Sequence, residues 1–173
     1  MDYKIRFGQA PEYNDLGEEA EFLDMLRSAD PEVRVPEPYY FWQKKSTQNG
    51  FPRVKSFLAM ELLDAVTLED VTNGKEKLPD GFDAQAFFGK LRRFVETMHQ
   101  KGVIHGDMHD RNIMVDRVTG NPRVIDFGTA KKIGEADIFT EDMRGSVFGS
   151  DVSGVAELER VVAQFLTEAK KSV

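Results

Sequence analysis

Three oxygen-bearing side chains stand close together in the stretch from Val103 to Gly128. Asp107 and Asn112 belong to one short polar segment, and Asp126 follows the next apolar run. Carboxylate and amide oxygens are ligands that magnesium prefers, and another carboxylate can accept the proton of an attacking hydroxyl. Residue types in this order suit the transfer of a phosphoryl group, which depends mainly on positioning and charge neutralisation.

A hairpin is predicted between Asn112 and Asp126. Ile113–Asp116 and Arg123–Asp126 have the apolar character of two short strands, and Thr119–Pro122 between them is rich in turn residues. Folding this hairpin brings Asn112 and Asp126 to the same end. The sequence therefore predicts that two ligands distant along the chain meet at one metal ion.

Composition restricts the classes of protein and partner. The chain has 173 residues, of which 40% are hydrophobic and 31% charged, and these values are typical of one globular domain. A net charge of -7 disfavours nucleic acid and anionic membranes as partners. The absence of Cys excludes disulfides and thiol chemistry. No long apolar run or signal-peptide pattern is present, so we expect a cytoplasmic or other intracellular protein without a membrane span.

The first third of the chain predicts three strands and one helix. Tyr3–Phe7 alternates as a strand, and Leu16–Ser28 has apolar residues at helical spacing. Tyr39–Lys45 and Val54–Leu62 are predicted to form a hairpin of two strands, with a turn at Asn49–Gly50 between them. These elements predict a small sheet with one helix beside it.

The remainder of the chain is mainly helical. Thr67 is a helix cap with Asp70 three residues later, and a long helix with a wide apolar stripe runs from about Asp83 to Lys101. A final amphipathic helix is predicted from Asp151 to Lys171. This sequence order predicts an α+β fold.

Two motifs resemble those of the protein-kinase-like superfamily. H-G-D-M-H-D-R-N resembles the catalytic loop H-R-D-L-x-x-x-N, and Asp126-Phe127-Gly128 matches the metal-binding D-F-G. Gly106 replaces the usual Arg, as in RIO-type atypical kinases and aminoglycoside phosphotransferases. That Arg normally pairs with a phosphorylated activation loop, so its absence argues against this mode of control. His109 also departs from the protein kinases, which usually have Lys there.

The resemblance implies one two-lobed kinase-like domain over residues 1–173. Residues 1–62 would form a partial N-lobe with a reduced sheet, and residues 63–173 a truncated, mainly helical C-lobe. No G-x-G-x-x-G precedes Lys4. The resemblance thus implies that the glycine-rich loop is either naturally absent or trimmed from this chain.

The resemblance also assigns roles to site residues, with ATP and Mg²⁺ as cofactors. Asp107 would be the catalytic base, and Asn112 and Asp126 the metal ligands. Lys4 would contact the phosphates and pair with Glu19, for which Glu21 is a nearby alternative. Adenine would meet the main chain of Glu61, Leu62 and Leu63 and an apolar floor of Met114 and Ile125, although Met114 and Ile125 are equally typical of strand core. Asp151 would hydrogen-bond the catalytic loop, or cap its own helix.

The implied function is ATP-dependent phosphoryl transfer by an atypical serine/threonine protein kinase. Two alternatives remain open: a small-molecule phosphotransferase, and a kinase-like module that binds nucleotide or a partner with little turnover. The acceptor would be a hydroxyl of a protein or of a small molecule, and a partner protein would supply the missing surface. Neither nucleic acid nor membrane is expected as a partner.

Overall fold

The protein is described here from a computed structural model. The model describes residues 3–8, 16–48, 51–133 and 141–171, and for residues 3–8, 48, 51–53, 141–149 and 170 the main chain alone. Within these ranges the chain forms both helices and small antiparallel sheets, which confirms the predicted α+β class. The predicted turn at Asn49–Gly50 lies outside the described residues.

A three-stranded antiparallel sheet is formed by the first part of the chain. Strands β1 (Tyr3–Gly8), β2 (Pro38–Gln48) and β3 (Phe51–Glu61) lie in the order β1-β3-β2. Ser56, Leu58 and Met60 alternate along β3 and are buried. Their period of two places them on one face, so this sheet has an inner side.

Helix α1 (Leu16–Leu26) packs against β2 and β3. It buries Leu16, Phe22, Leu23 and Leu26, whose spacing of three and four residues gives the helix one apolar face. The helix ends two residues before the predicted Ser28. The predicted helix is therefore confirmed, although its last turn is shorter than predicted.

Two further helices supply core residues in the part of the chain that follows the first sheet. Helix α2 (Leu68–Thr72) begins where Thr67 accepts a hydrogen bond from the Asp70 N–H, so the predicted cap is confirmed. Helix α3 (Ala84–Gln100) is capped by the Asp83 carboxylate. Its buried side chains form the central apolar layer of the protein: Phe87, Phe88, Leu91, Phe94, Val95 and Met98.

Two small sheets hold the segment that contains the three predicted site residues. Strands β4 (Ala65–Thr67), β6 (Ile113–Asp116) and β7 (Pro122–Val124) lie in the order β4-β6-β7. Strand β5 (Val103–Ile104) pairs with β8 (Lys131–Lys132). The predicted second strand of the hairpin extended to Asp126, whereas β7 ends at Val124, because Asp126 adopts a left-handed conformation that no strand accommodates.

Helix α4 spans Glu141–Lys171 and packs against α3. The predicted start at Asp151 is wrong by ten residues, since Glu141–Ser150 contains no proline and continues the same helix. Asp151 therefore lies inside the helix, and its interpretation as a helix cap is also wrong. Among the described residues, no helix is both long enough and apolar enough to cross a membrane.

Candidate active site

Asp151 anchors the loop that begins at His105. Its Oδ2 accepts a hydrogen bond from the His105 N–H and its Oδ1 accepts one from the Gly106 N–H, each at 2.9 Å. The Nε2 of His99 lies 2.9 Å from the same Oδ2. Asp151 is fully buried. A buried carboxylate needs such donors, and in return it fixes the main chain just before Asp107.

His105 connects this loop to the segment around Asp126. Its Nδ1 accepts a hydrogen bond from the Asp107 N–H at 3.3 Å, so the neutral ring carries its proton on Nε2 and donates to the Ile125 carbonyl at 3.0 Å. The ring also meets Phe127 edge to face, with centroids 4.7 Å apart. Burial lowers the pKa of His105, against the opposing effect of nearby carboxylates. The imidazole is therefore a neutral structural connector.

Asn112 is oriented by Asp107. Its Nδ2 donates to the Asp107 carbonyl at 2.9 Å and to Asp107 Oδ2 at 3.1 Å. Asn112 is 5% exposed, and these two bonds hold its amide nitrogen toward Asp107. The amide oxygen of Asn112 is thereby the atom left to accept a donor or ligate a cation.

Asp126 has an unusual backbone. Its φ of 64° makes it the one residue other than glycine with positive φ among those described. Such a conformation costs an Asp about 1 kcal/mol or more, so the surroundings must stabilise it. Its side chain accepts from the Gly128 N–H at 3.3 Å. The preceding Ile125 N–H donates to the Asn112 carbonyl at 3.0 Å, which brings the ends of β6 and β7 together as the hairpin predicted.

A cavity of about 280 Å³ opens beside Asp126. This volume is close to the lower limit for small-molecule sites, which span ~300–1,000 Å³. Except for Lys4, all the residues predicted to contact the nucleotide line this cavity: Glu19, Glu61, Leu62, Leu63, Met114 and Ile125. Pro36, Thr67 and Met60 of β3 complete the lining together with Asp126. Lys4 occupies the β1 position that pairs with Met60, and the structure describes only its main chain.

The structure distinguishes between the two candidate glutamates of α1. Glu19 is 2% exposed and lines the cavity, whereas Glu21 is exposed on another side of the helix. Residues two apart on a helix point to nearly opposite sides, so of this pair only Glu19 lies on the cavity side.

The main chain after β3 offers hydrogen-bonding groups to this cavity. The Glu61 N–H already donates to the Glu37 carbonyl at 2.8 Å. The Leu63 N–H has no hydrogen-bond acceptor within the described part of the chain. A bound ring that carries both donors and acceptors would find a main-chain partner at Leu63.

The donor set at Asn112 and Asp126 fits magnesium. Both supply hard oxygen ligands, and the orientation of the Asn112 amide leaves its oxygen available. No group of three His, Asp or Glu side chains suited to a metal is found within the described ranges. Magnesium bound with phosphate needs only one or two side-chain oxygens, because phosphate and water complete its shell.

Sequence reasoning did not foresee two features of this site. The His99 side chain contacts Asp151. His109, which stands where protein kinases usually have Lys, lies with its Nε2 3.2 Å from Asp107 Oδ2. The first contact joins residues 52 positions apart, and no local pattern signals it.

The chain is similar to known proteins along most of its length. A family model described as protein kinase domain matches residues 15–148. A probable serine/threonine-protein kinase of Clostridium perfringens is 32% identical over 93 residues, which are 53% of this chain and 13% of that protein. Protein kinase MCK1 of Saccharomyces cerevisiae is 30% identical over 114 residues, which are 64% of this chain and 29% of that protein.

Solved structures show the same likeness at lower identity. The Cydia pomonella granulovirus kinase PK-1 has a TM-score of 0.53 at 17% identity, covering 80% of this chain and 46% of that chain. A chain of the yeast RNA Pol II CTD kinase CTDK-1 complex has a TM-score of 0.50 at 20% identity. The match covers 77% of this chain and 40% of that chain. The chain thus spans less than a third of the two curated relatives and less than half of these two structures.

Proposed function

The chain belongs to the protein kinase domain family, and on that premise we propose that it transfers the γ-phosphate of ATP to a serine or threonine hydroxyl of a protein. The solved kinases confirm a protein-kinase-like α+β fold with a reduced sheet. Relatives named as serine/threonine-protein kinases support a protein acceptor. Gly106 in place of Arg supports an atypical member. With this function we propose one domain over residues 1–173, divided near residue 62.

One observation carries the proposal: the hydrogen-bonded pair of Asp107 and Asn112 lies at the base of the hairpin that ends in Asp126. The Asn112 amide fixes one side of the Asp107 carboxylate, and the Ile125 N–H holds the Asn112 main chain. A carboxylate for the acceptor and two oxygen ligands for the cation therefore share one region. The Asp107 side chain is 46% exposed, so an acceptor hydroxyl can reach it.

We propose that the adenine end of ATP occupies the 280 Å³ cavity, with the phosphates toward Asp126. Adenine would lie between Met60 and Met114 and hydrogen-bond the Leu63 N–H. Glu19 is the cavity-facing acid of α1, and Lys4 on β1 is the proposed phosphate contact. Burying the apolar ring supplies affinity, while the main-chain groups supply orientation.

Asn112 and Asp126 would hold Mg²⁺ through their oxygens. When bound, the cation neutralises charge on the phosphate oxygens. Asp107 orients the acceptor hydroxyl and accepts its proton as the oxygen–phosphorus bond forms, and ADP departs. His105 and Asp151 touch neither substrate. They hold the main chain just before Asp107 and the N–H of Asp107 itself.

The test compares the wild-type chain with Asp107→Asn, a substitution of nearly equal size. With radiolabelled ATP, Mg²⁺ and a mixture of protein acceptors, we expect the variant to transfer phosphate ~10²- to 10⁴-fold more slowly, the usual contribution of a positioned base. ATP affinity should stay unchanged. Equal and negligible transfer by both proteins, with ATP still bound, would assign the chain to nucleotide binding instead.

Small-molecule acceptors are the second candidate, because H-G-D-M-H resembles the aminoglycoside phosphotransferases. The same assay with amino sugars in place of protein separates the two. Labelled protein supports the first proposal, and labelled sugar alone overturns its acceptor class while keeping the chemistry.

A further inference from the structure

We infer that His109 is a positioning residue that selects which oxygen of Asp107 faces the acceptor hydroxyl. This inference rests on the proposed function and extends it to a residue with no role so far. His109 stands where protein kinases usually have Lys. Its ring lies in the catalytic loop, with a side chain 31% exposed.

The tautomer of His109 follows from its neighbours. The Arg111 N–H lies 3.2 Å from His109 Nδ1, and a main-chain N–H can only donate. Nδ1 is therefore the acceptor, and the neutral ring carries its proton on Nε2. The Nε2 lies 3.2 Å from Asp107 Oδ2, so this bond runs from the imidazole to the carboxylate.

Asp107 Oδ2 consequently has two donors. One is His109 Nε2–H, and the other is the Asn112 amide at 3.1 Å. Asp107 Oδ1 has no hydrogen-bond donor in the described part of the chain. The two donors occupy Oδ2 and block the approach of a hydroxyl to it, so Oδ1 is the oxygen that accepts the proton.

The two donors also fix the rotation of the carboxylate. A single donor at Oδ2 would hold the rotation of the carboxylate less firmly than two donors from different residues do. The His109 donor comes from a different residue of the same loop, and its own Nδ1 is held by main chain. The Asp107 plane is thereby set before substrate arrives, which keeps the acceptor oxygen in line with the phosphorus.

This role differs from that of the Lys usual in protein kinases. A Lys ammonium is a mobile cation that serves the phosphate. The neutral His109 ring serves the carboxylate instead. A change at His109 should therefore alter the rate of transfer rather than the affinity for ATP.

Two substitutions of His109 provide a matched test. In His109→Gln the side-chain amide reaches to about the position of Nε2 and keeps a donor, whereas His109→Leu has similar bulk and no donor. We expect kcat to fall ~10- to 100-fold in the Leu variant, as for a small misplacement of a reacting group, with KM for ATP unchanged. The Gln variant should stay within about threefold of wild type. Equal losses in both variants, or no loss in the Leu variant, would overturn the inference.

A second measurement is independent of turnover. The chain has only three His residues, so ¹⁵N-labelled imidazoles can be assigned by substitution. We expect the proton that His109 donates to Asp107 to lie on Nε2, with His109→Gln removing that signal. A ring protonated at Nδ1 refutes the positioning role whether or not the chain transfers phosphate. Absence of transfer with the Nε2–H form present contradicts the proposed function alone.

Discussion

Asp151 Oδ1 lies 2.9 Å from the N–H of Gly106, a residue 45 positions earlier in the chain. The same carboxylate accepts from His105 and contacts His99. Asp151→Ala would leave the buried N–H groups of His105 and Gly106 without an acceptor, and each unsatisfied buried group costs ~1–3 kcal/mol. Asp151→Asn keeps one acceptor and should cost less. Urea unfolding of both variants measures their free energies of unfolding and shows which substitution costs more.

The matched control for Asp151 is Glu159→Ala on the same helix. Glu159 forms an exposed ion pair with Arg92, and such pairs contribute ~0–1 kcal/mol. A loss at Asp151 no greater than that at Glu159 would contradict the anchoring role.

Asp126 allows the metal assignment to be tested apart from backbone strain. Asn tolerates the left-handed conformation of this residue better than Ala, so Asp126→Asn removes mainly the charge. We expect the gain in ATP affinity from Mg²⁺ to fall ~10- to 100-fold, the value of a charge-assisted contact. Calorimetric titration with ATP, with and without Mg²⁺, measures it. Undiminished dependence on Mg²⁺ would reject Asp126 as a ligand.

Gly154 tests the close approach of α4 to the catalytic loop. A Cβ at this position would overlap the Met108 carbonyl oxygen and lie 3.0 Å from Met108 Cβ. Gly154→Ala should therefore destabilise by ~1–3 kcal/mol, although Ala is the better helix former. Thermal unfolding is the measurement.

Gly89→Ala is the control for Gly154. Gly89 also lies within a helix, and its added Cβ would meet no atom within 4 Å. This variant should gain up to ~1 kcal/mol. If both alanine variants are stabilised, α4 does not approach Met108 as closely as described.

Asp116 should give the protein a defined sensitivity to acid. Burial raises the pKa of its carboxyl, but hydrogen bonds from Arg123 and Thr119 outweigh that effect and lower the pKa to about 2. The ordinary value is 3.8, so the folded state favours the carboxylate. A difference of this size stabilises the fold by ~2 kcal/mol above the unfolded pKa, and the contribution is lost as pH falls from about 4 to about 2.

Asp116→Asn should remove this contribution. Urea unfolding from neutral pH to about pH 2 is expected to show the wild type ~2 kcal/mol more stable at neutral pH, with the difference shrinking in acid. Asp64→Asn, at a largely exposed carboxylate, serves as the comparison. A difference between wild type and Asp116→Asn that does not vary with pH would contradict this assignment.

Local patterns predicted most of the helices and strands. The apolar stripe of α3 and the cap at Thr67 depend on residues within one or two turns, and both are as predicted. Glu19 and Glu21 were not separable by sequence, because their orientation depends on how α1 packs. The left-handed backbone of Asp126 and the contacts of Asp151 arise from tertiary packing, which has no local signature.

The hydrogen bonds that join Asp151 of α4 to the loop before Asp107 also have a consequence for the order of folding. Contacts between residues far apart in sequence form late, because a long segment must first lose its conformational freedom. The loop around Asp107 thus reaches its final geometry only when α4 docks, after the two strands of its own hairpin can already pair. Nascent chains that have not yet emerged through Asp151 would contain every proposed catalytic side chain and still be inactive.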